Sequence, residues 1–281
     1  MALQMGDLIC QMRRKRNLTQ QELSEGIISK SVLSRIENGQ AEPDIFVLHA
    51  LFQRLGKSLL PFEIVVSNKE YERLLQNDDS MLMQTTVIAE SSYLKDIREV
   101  KGLSQERFSS DICARETISK IEHGRNPQLK TVQTLMDHVG EPYRKYYGYV
   151  VTLEYEIYEK VELYQQKRTA YPEEARYLFR DIRKRLDESI PVNRQFIESS
   201  ELMEKRRKNQ ITMGEELAGL EQCLRYTMPE YQRESFRMPY RQEVVILEEI
   251  IKCLKRIKKP EAAMRLAEEL EKKNNAKLKL G

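Results

Sequence analysis

Side chains able to do covalent chemistry are present in this chain, but not in working arrangements. The four cysteines (Cys10, Cys113, Cys223, Cys253) form no CxxC pair, and none of His49, His123 and His138 lies at metal-ligand spacing from another donor. The cysteines read as small buried hydrophobes of a reducing compartment. A GxSxG elbow, a P-loop, an HExxH helix and a dinucleotide fingerprint are all missing, which argues against an enzyme and implies neither cofactor nor metal. What remains is non-covalent. Amide, hydroxyl, guanidinium and carboxylate groups cluster in a 22-residue pattern that occurs twice, 85 positions apart, at 18–39 and 103–124. Aligned without a gap, 8 of the 22 positions are identical: Leu18/Leu103, Gln20/Gln105, Ser24/Ser109, Ile27/Ile112, Ser34/Ser119, Ile36/Ile121, Glu37/Glu122 and Gly39/Gly124.

The elements that must position these groups are short helices. Leu8, Ile9 and Met12 form an apolar stripe at helical spacing. Thr19 and Glu22 make a capping box, in which each side chain satisfies a backbone N–H at the start of a second helix. Leu23 and Ile27 continue its apolar face. Ser29 is a good N-cap for a third helix with Val32, Leu33 and Ile36 expected inward, and Asn38-Gly39 ends it. A fourth helix follows Pro43 and carries Val47, Leu48, Leu51 and Leu55. The second copy repeats the plan to about Gly140, with Ala114 where Ser29 stood and Arg107 in place of the capping-box glutamate.

Both copies resemble the Cro/repressor-type (XRE) helix-turn-helix family in the motif L-[TS]-Q-x-x-[LF]-S…I-S-[RK]-I-E-x-G. The tight turns SEGIISKS and SDICARET are similar to those of Rgg- and PlcR-like peptide-responsive regulators. The resemblance implies structural ion pairs, Arg13 with Glu37 and Arg98 with Glu122. It also implies phosphate contacts at Gln20 and Gln105, and base reading in the major groove from the third helix of each unit. In the first unit that surface is Lys30, Ser31 and Arg35; lysine and arginine favour guanine O6 and N7. In the second it is Arg115, Glu116, Lys120 and Arg125. Glu116 repels phosphate but can accept from a cytosine amino group, so the second unit is either a DNA reader or a docking module that kept the fold. The run Arg14-Lys15-Arg16 reads as a solvated helix end, with a backbone-contact patch as the alternative.

The remainder reads as helical. Tyr143, Tyr146, Tyr147, Tyr155, Tyr158 and Tyr164 suggest a core stripe, with a ligand-lining surface as the alternative. Pro172, Pro191 and Pro260 open helices, since the missing proline N–H is unpaired in a first turn anyway. Thr212 caps another. Three helical hairpins follow at about 153–187, 191–226 and 240–273, the last loosely resembling a tetratricopeptide unit with Ala262 and Ala263 at its close contact. Stacked hairpins expose a concave face suited to a peptide, and Asn193, Arg194 and Tyr226 are candidate groove residues. Residues 61–89 form a linker, with FEIVV strand-like or docking, a break at Asn77-Asp78-Asp79-Ser80, and Met81, Leu82 and Met83 packing on a neighbouring helix.

The expected fold is therefore all-α: two lambda-repressor-like helix-turn-helix domains of four or five helices (1–60 and 90–148), the linker, and a domain of tetratricopeptide-like hairpins (149–281). No run of about 18 apolar residues exists to span a membrane, and the basic cluster at 13–16 follows the apolar stretch instead of preceding it, unlike a signal peptide. A bacterial cytoplasmic location, nucleoid-associated when bound to DNA, is expected. Net charge is only +3, so DNA affinity must come from where charges sit. The leading expectation is a transcriptional regulator that binds double-stranded DNA as a homodimer and senses a signalling peptide. The alternative is a protein-interaction scaffold whose helix-turn-helix modules no longer read DNA.

Overall fold

The computed structural model describes residues 4–76, 85–141, 146–275 and 277–279. The break expected at Asn77 to Ser80, the packing of Met81 to Met83, and Tyr143 lie outside the described residues.

The first repeat copy folds as α1 (Met5–Lys15), α2 (Gln20–Ser24), α3 (Lys30–Glu37) and α4 (Ile45–Arg54). Thr19 and Glu22 form the capping box, Ser29 accepts from Val32 N–H at 3.3 Å, and Asp44 caps α4. Gly39 takes φ +68°, the left-handed exit that a Cβ penalises. Gly6 matters for packing, because a Cβ there would lie 1.9 Å from the Ile36 carbonyl oxygen, so α1 sits directly on the end of α3. The second copy folds as α6 (Glu90–Val100), α7 (Gln105–Ser109), α8 (Arg115–Glu122) and α9 (Leu129–His138).

Between the copies lie β1 (Glu63–Val66), α5 (Asn68–Gln76) and β2 (Thr86–Ala89). The strand-like reading of FEIVV holds, and its partners come from far away. β1 pairs in parallel with β2, β3 (Tyr146–Tyr147) joins β1 antiparallel, and β4 (Leu278–Lys279) joins β2 antiparallel, giving the order β3-β1-β2-β4. This small sheet is absent from the expected elements. Its strands alternate faces as the pleat requires. Ile64, Val66, Val87 and Tyr146 pack into the core of the first helix-turn-helix unit, while Val65, Ile88 and Tyr147 pack into that of the second. The sheet is thus a partition with one unit on each side.

α5 ties the two units together. Its Glu70 accepts from the backbone N–H of Ile45 at the start of α4 (3.0 Å), and its Asn68 donates to the Arg125 carbonyl (3.3 Å) and accepts from Ser91 N–H (3.1 Å).

The helical hairpins are α10 (Tyr155–Lys167) with α11 (Pro172–Arg185), α12 (Pro191–Arg207) with α13 (Met213–Arg225), and α14 (Arg241–Arg256) with α15 (Pro260–Asn274). Proline stands in the first turn of α11, α12 and α15, and Thr212 and Glu215 form a capping box on α13. Ala263 is fully buried against α14. Tyr146, Tyr147, Tyr155, Tyr158 and Tyr164 are all buried, as core residues. The first unit docks on this domain through Tyr155, whose hydroxyl donates to the Ser58 carbonyl (2.6 Å), and through Lys57–Glu159 (2.9 Å). The second docks through Tyr93, bonded to the hydroxyls of Tyr147 (2.6 Å) and Tyr240 (3.1 Å). Asp96 completes that contact by accepting from Met238 N–H and Lys273. Arg237, buried beside them, makes a bidentate pair with Glu243 (2.7 and 2.8 Å) that fixes the 228–240 connection.

Among the described residues, no helix is long and apolar enough to cross a membrane, and no group of three or more His, Cys, Asp or Glu could hold a metal ion.

Candidate nucleic-acid interface

In each unit a three-residue network ties the first helix to the third, α1 to α3 and α6 to α8. In the first, the guanidinium of Arg13 donates from Nε (2.6 Å) and Nη2 (2.8 Å) to the two oxygens of Glu37, and from Nη1 to the Leu18 carbonyl (2.9 Å). Gln20 Nε2 adds a bond to Glu37 Oε2 at 2.9 Å. The second unit repeats this atom for atom: Arg98 to Glu122, Arg98 to the Leu103 carbonyl (2.9 Å), and Gln105 to Glu122 (2.8 Å). Burial pushes both carboxyls up, but the bonds from arginine and glutamine outweigh it and hold them below the ordinary carboxylate value. Bonding to Glu37 and Glu122 raises Arg13 and Arg98 in turn.

Gln20 and Gln105 are half-buried, and one amide N–H of each braces the ion pair. Each Nε2 carries two N–H donors and this bond uses one, so the amide keeps a donor for the phosphate contact that the resemblance implies.

The side chains that the resemblance assigns to base reading lie on, or just beyond, the third helix of each unit. Lys30, Ser31 and Arg35 are exposed on α3, and neither cation makes an ion pair or side-chain hydrogen bond among the described residues. Val32 is a correction: expected inward, it is 36% exposed. With Ser29 as cap, the helix begins at Lys30, and the inward stripe is Leu33, Ile36 and Glu37. Val32 falls about 100° away from Leu33, on the flank that also carries Ser31 and Arg35.

On α8, Arg115, Glu116 and Lys120 are exposed, as is Arg125 beyond its end. Ala114 makes no side-chain cap. Asp111 takes φ +60° where the first unit has Gly26 at +70°, so the second turn carries a left-handed residue that glycine adopts more readily. The backbone just beyond α8 is held by α5, through Asn68 on the Arg125 carbonyl and Asn126 Oδ1 accepting from Lys69 N–H (3.1 Å). Of the basic run, Arg16 reaches the Arg54 carbonyl (3.3 Å) and Lys15 lies 3.8 Å from Glu156.

The groove residues are only partly available. Asn193 is fully buried, with its amide bonded to the Val151 N–H (2.7 Å) and carbonyl (3.0 Å) and to the Asp187 carbonyl (3.0 Å). It is a structural bridge and cannot meet a ligand. Standing third in α12 after Pro191, it faces the core. Arg194 stacks over Tyr226 (4.6 Å), and both bond Glu198.

No curated protein matches the chain. Among solved structures, Bacillus thuringiensis PlcR in complex with the peptide PapR7 and DNA is similar at 18% identity, covering 98% of this chain and 95% of that one, with a TM-score of 0.25. The PrgX/cCF10 complex is similar at 14% identity, covering 96% and 99%, with a TM-score of 0.22. Residues 11–62 and 94–144 match the family described as helix-turn-helix. Each repeat copy thus has the same four-helix plan and the same Arg–Glu–Gln brace, and carries one of the two segments that match the helix-turn-helix family.

Proposed function

We propose that the protein is a sequence-specific DNA-binding transcriptional regulator whose first helix-turn-helix domain reads the base sequence. One observation carries this reading: α3 is capped by Ser29 and presents Lys30, Ser31, Val32 and Arg35 outward, with no acid among them. Donors in that arrangement suit a guanine-containing half-site, and Ser31 tolerates several bases. The second domain, with an uncapped α8 and Glu116 on its face, acts chiefly as a docking module, anchored by Tyr93, Asp96 and Asn68. A symmetric operator then requires a second copy of the chain, so the DNA-bound form is a homodimer acting in the cytoplasm. The helical hairpins form the sensing half, for which a small effector such as a signalling peptide is the ligand.

The test is selection of genomic fragments by the purified full chain at near-physiological salt. The reading expects a narrow set of fragments sharing one motif, retained less tightly as salt rises because phosphate contacts release counterions. Retention of no motif, together with stable co-purification of a partner protein, would favour a scaffold instead.

A further inference from the structure

The helix α5 belongs to the first unit by packing and to the second by hydrogen bonding. Its Leu74 is buried in the core that holds the first unit, and Tyr71 packs against the same core. Arg73 lies over the Phe46 ring (4.3 Å) and 3.7 Å from Asp44, which caps α4. Glu70 accepts from the Ile45 N–H between them (3.0 Å). The start of α4 is thus gripped by α5 at Asp44, Ile45 and Phe46.

The first turn of α5 reaches into the second unit. Asn68 bridges the Ser91 N–H at the start of α6 and the Arg125 carbonyl beyond α8. The first N–H groups of a helix have no partner within it, and here the second unit supplies one, since Asn126 Oδ1 accepts from Lys69 N–H. Glu70 joins the two grips. Its Oε2 accepts from the Ser67 N–H (3.1 Å) and hydroxyl, while Ser67 Oγ accepts from Glu70 N–H (3.3 Å), a capping box that closes the turn. Its Oε1 is the atom that holds Ile45. Asn68 and Glu70 share this one turn, so drawing the turn away from the second unit carries Glu70 off α4.

We propose that α5 is a crossbar coupling the two helix-turn-helix units, with Asn68 and Glu70 as positioning residues for DNA reading. The second unit holds the first turn of α5, that turn holds the start of α4, and α4 anchors the 38–44 loop that joins it to α3. Tyr93 and Asp96, which dock the second unit on the hairpins, lie on α6 close behind Ser91. A change in that docking therefore reaches the reading domain through α5. This coupling, which rests on α3 reading DNA and on the second unit docking, gives the docking a purpose.

The test is amide exchange on the full chain with Asn68→Ala and Asn126→Ala. The hydrogen bonds removed by these changes involve the second unit and α5 alone, and Asn126 is exposed, so its variant keeps the fold. Coupling lowers protection at Ile45 by ~fivefold or more in both variants while α1 keeps the parent's protection. A smaller loss at Ile45, or an equal loss throughout α1–α4, overturns it. Affinity for the fragments that the parent chain selects is the second readout. Asn68→Ala and Glu70→Ala each weaken it by ~fivefold, and the double variant loses no more than either alone, because both changes break one device. Unchanged affinity in the single variants, or losses that multiply in the double variant, overturn the positioning role. If the parent chain selects no fragment, the DNA reading falls, and exchange at Ile45 still decides whether α5 couples the units.

Discussion

The paired braces allow equal structural damage to be inflicted on both domains and unequal functional damage to be read out. Glu37→Ala removes the acceptor for three hydrogen bonds and leaves the Arg13 guanidinium, whose side chain is 11% exposed, with the Leu18 carbonyl as its main remaining acceptor. Breaking a buried ion pair costs about 3–5 kcal/mol through the stranded charge. The retained carbonyl and residual solvent contact place this case at the low end, ~3 kcal/mol. Glu122→Ala strands Arg98, at 12% exposure and with the Leu103 carbonyl, and should cost the same. Every 1.4 kcal/mol is tenfold, so amide-exchange protection should fall by ~100-fold. The loss should be confined to residues 5–37 in the first variant and 90–122 in the second. Selected-operator affinity should collapse for Glu37→Ala and change far less for Glu122→Ala. A protection loss below tenfold in either unit would refute the stranded-charge argument, and equal loss of operator affinity would refute the division of labour.

Three further outcomes follow from the same geometry. Glu37 and Glu122 have folded pKa values below the unfolded value of 4.5. Their stabilisation is therefore complete above about pH 4.5 and lost as pH falls through the depressed values, so exchange protection in α1–α3 and α6–α8 should drop over that acid range in an acid titration. Ser29→Ala should cost the first domain about 1 kcal/mol, and Ala114→Ser should return a similar amount to the second, both seen as local exchange at the start of the recognition helix. Asn68→Ala, at a residue 5% exposed, orphans the Ser91 N–H and the Arg125 carbonyl. It should cost about 2 kcal/mol and speed exchange at the start of α6 and around residue 125.

What could be read from the residues differs sharply between parts of the molecule. The helix-turn-helix plan was legible because its determinants are local: the Thr19/Glu22 box, the Ser29 cap and Gly39 each act within one helical turn. The Arg13–Glu37 and Arg98–Glu122 pairs, 24 residues apart in sequence, could be placed only through the family pattern. Pro172, Pro191, Pro260 and Thr212 likewise fixed the hairpins. The sheet escaped because β3 and β4 are two residues long, too short for any alternation, and β1 finds its partners through chain separation that no local signal records. FEIVV showed strand character without showing what it pairs with. Val32 and Asn193 face the opposite way from what their apolar and polar types suggest, because their offsets from Ser29 and Pro191 decide which way they point. Gln20 and Gln105 show the reverse limit. Their place at the start of the second helix is set locally, but the carboxylate that binds one N–H of each amide belongs to a residue 17 positions away.

The central claim, that the first domain reads sequence and the second chiefly docks, is tested most directly by fluorescence anisotropy on the selected operator at fixed salt. The comparison is wild type, Lys30→Ala/Arg35→Ala, and Arg115→Ala/Lys120→Ala. Each base contact is worth about 1–3 kcal/mol. The first double variant should therefore lose roughly 30-fold or more in affinity for the operator and approach its affinity for scrambled DNA. The second should lose a few-fold, equally on both sequences. Loss of discrimination in the second variant, or its survival in the first, would contradict the account.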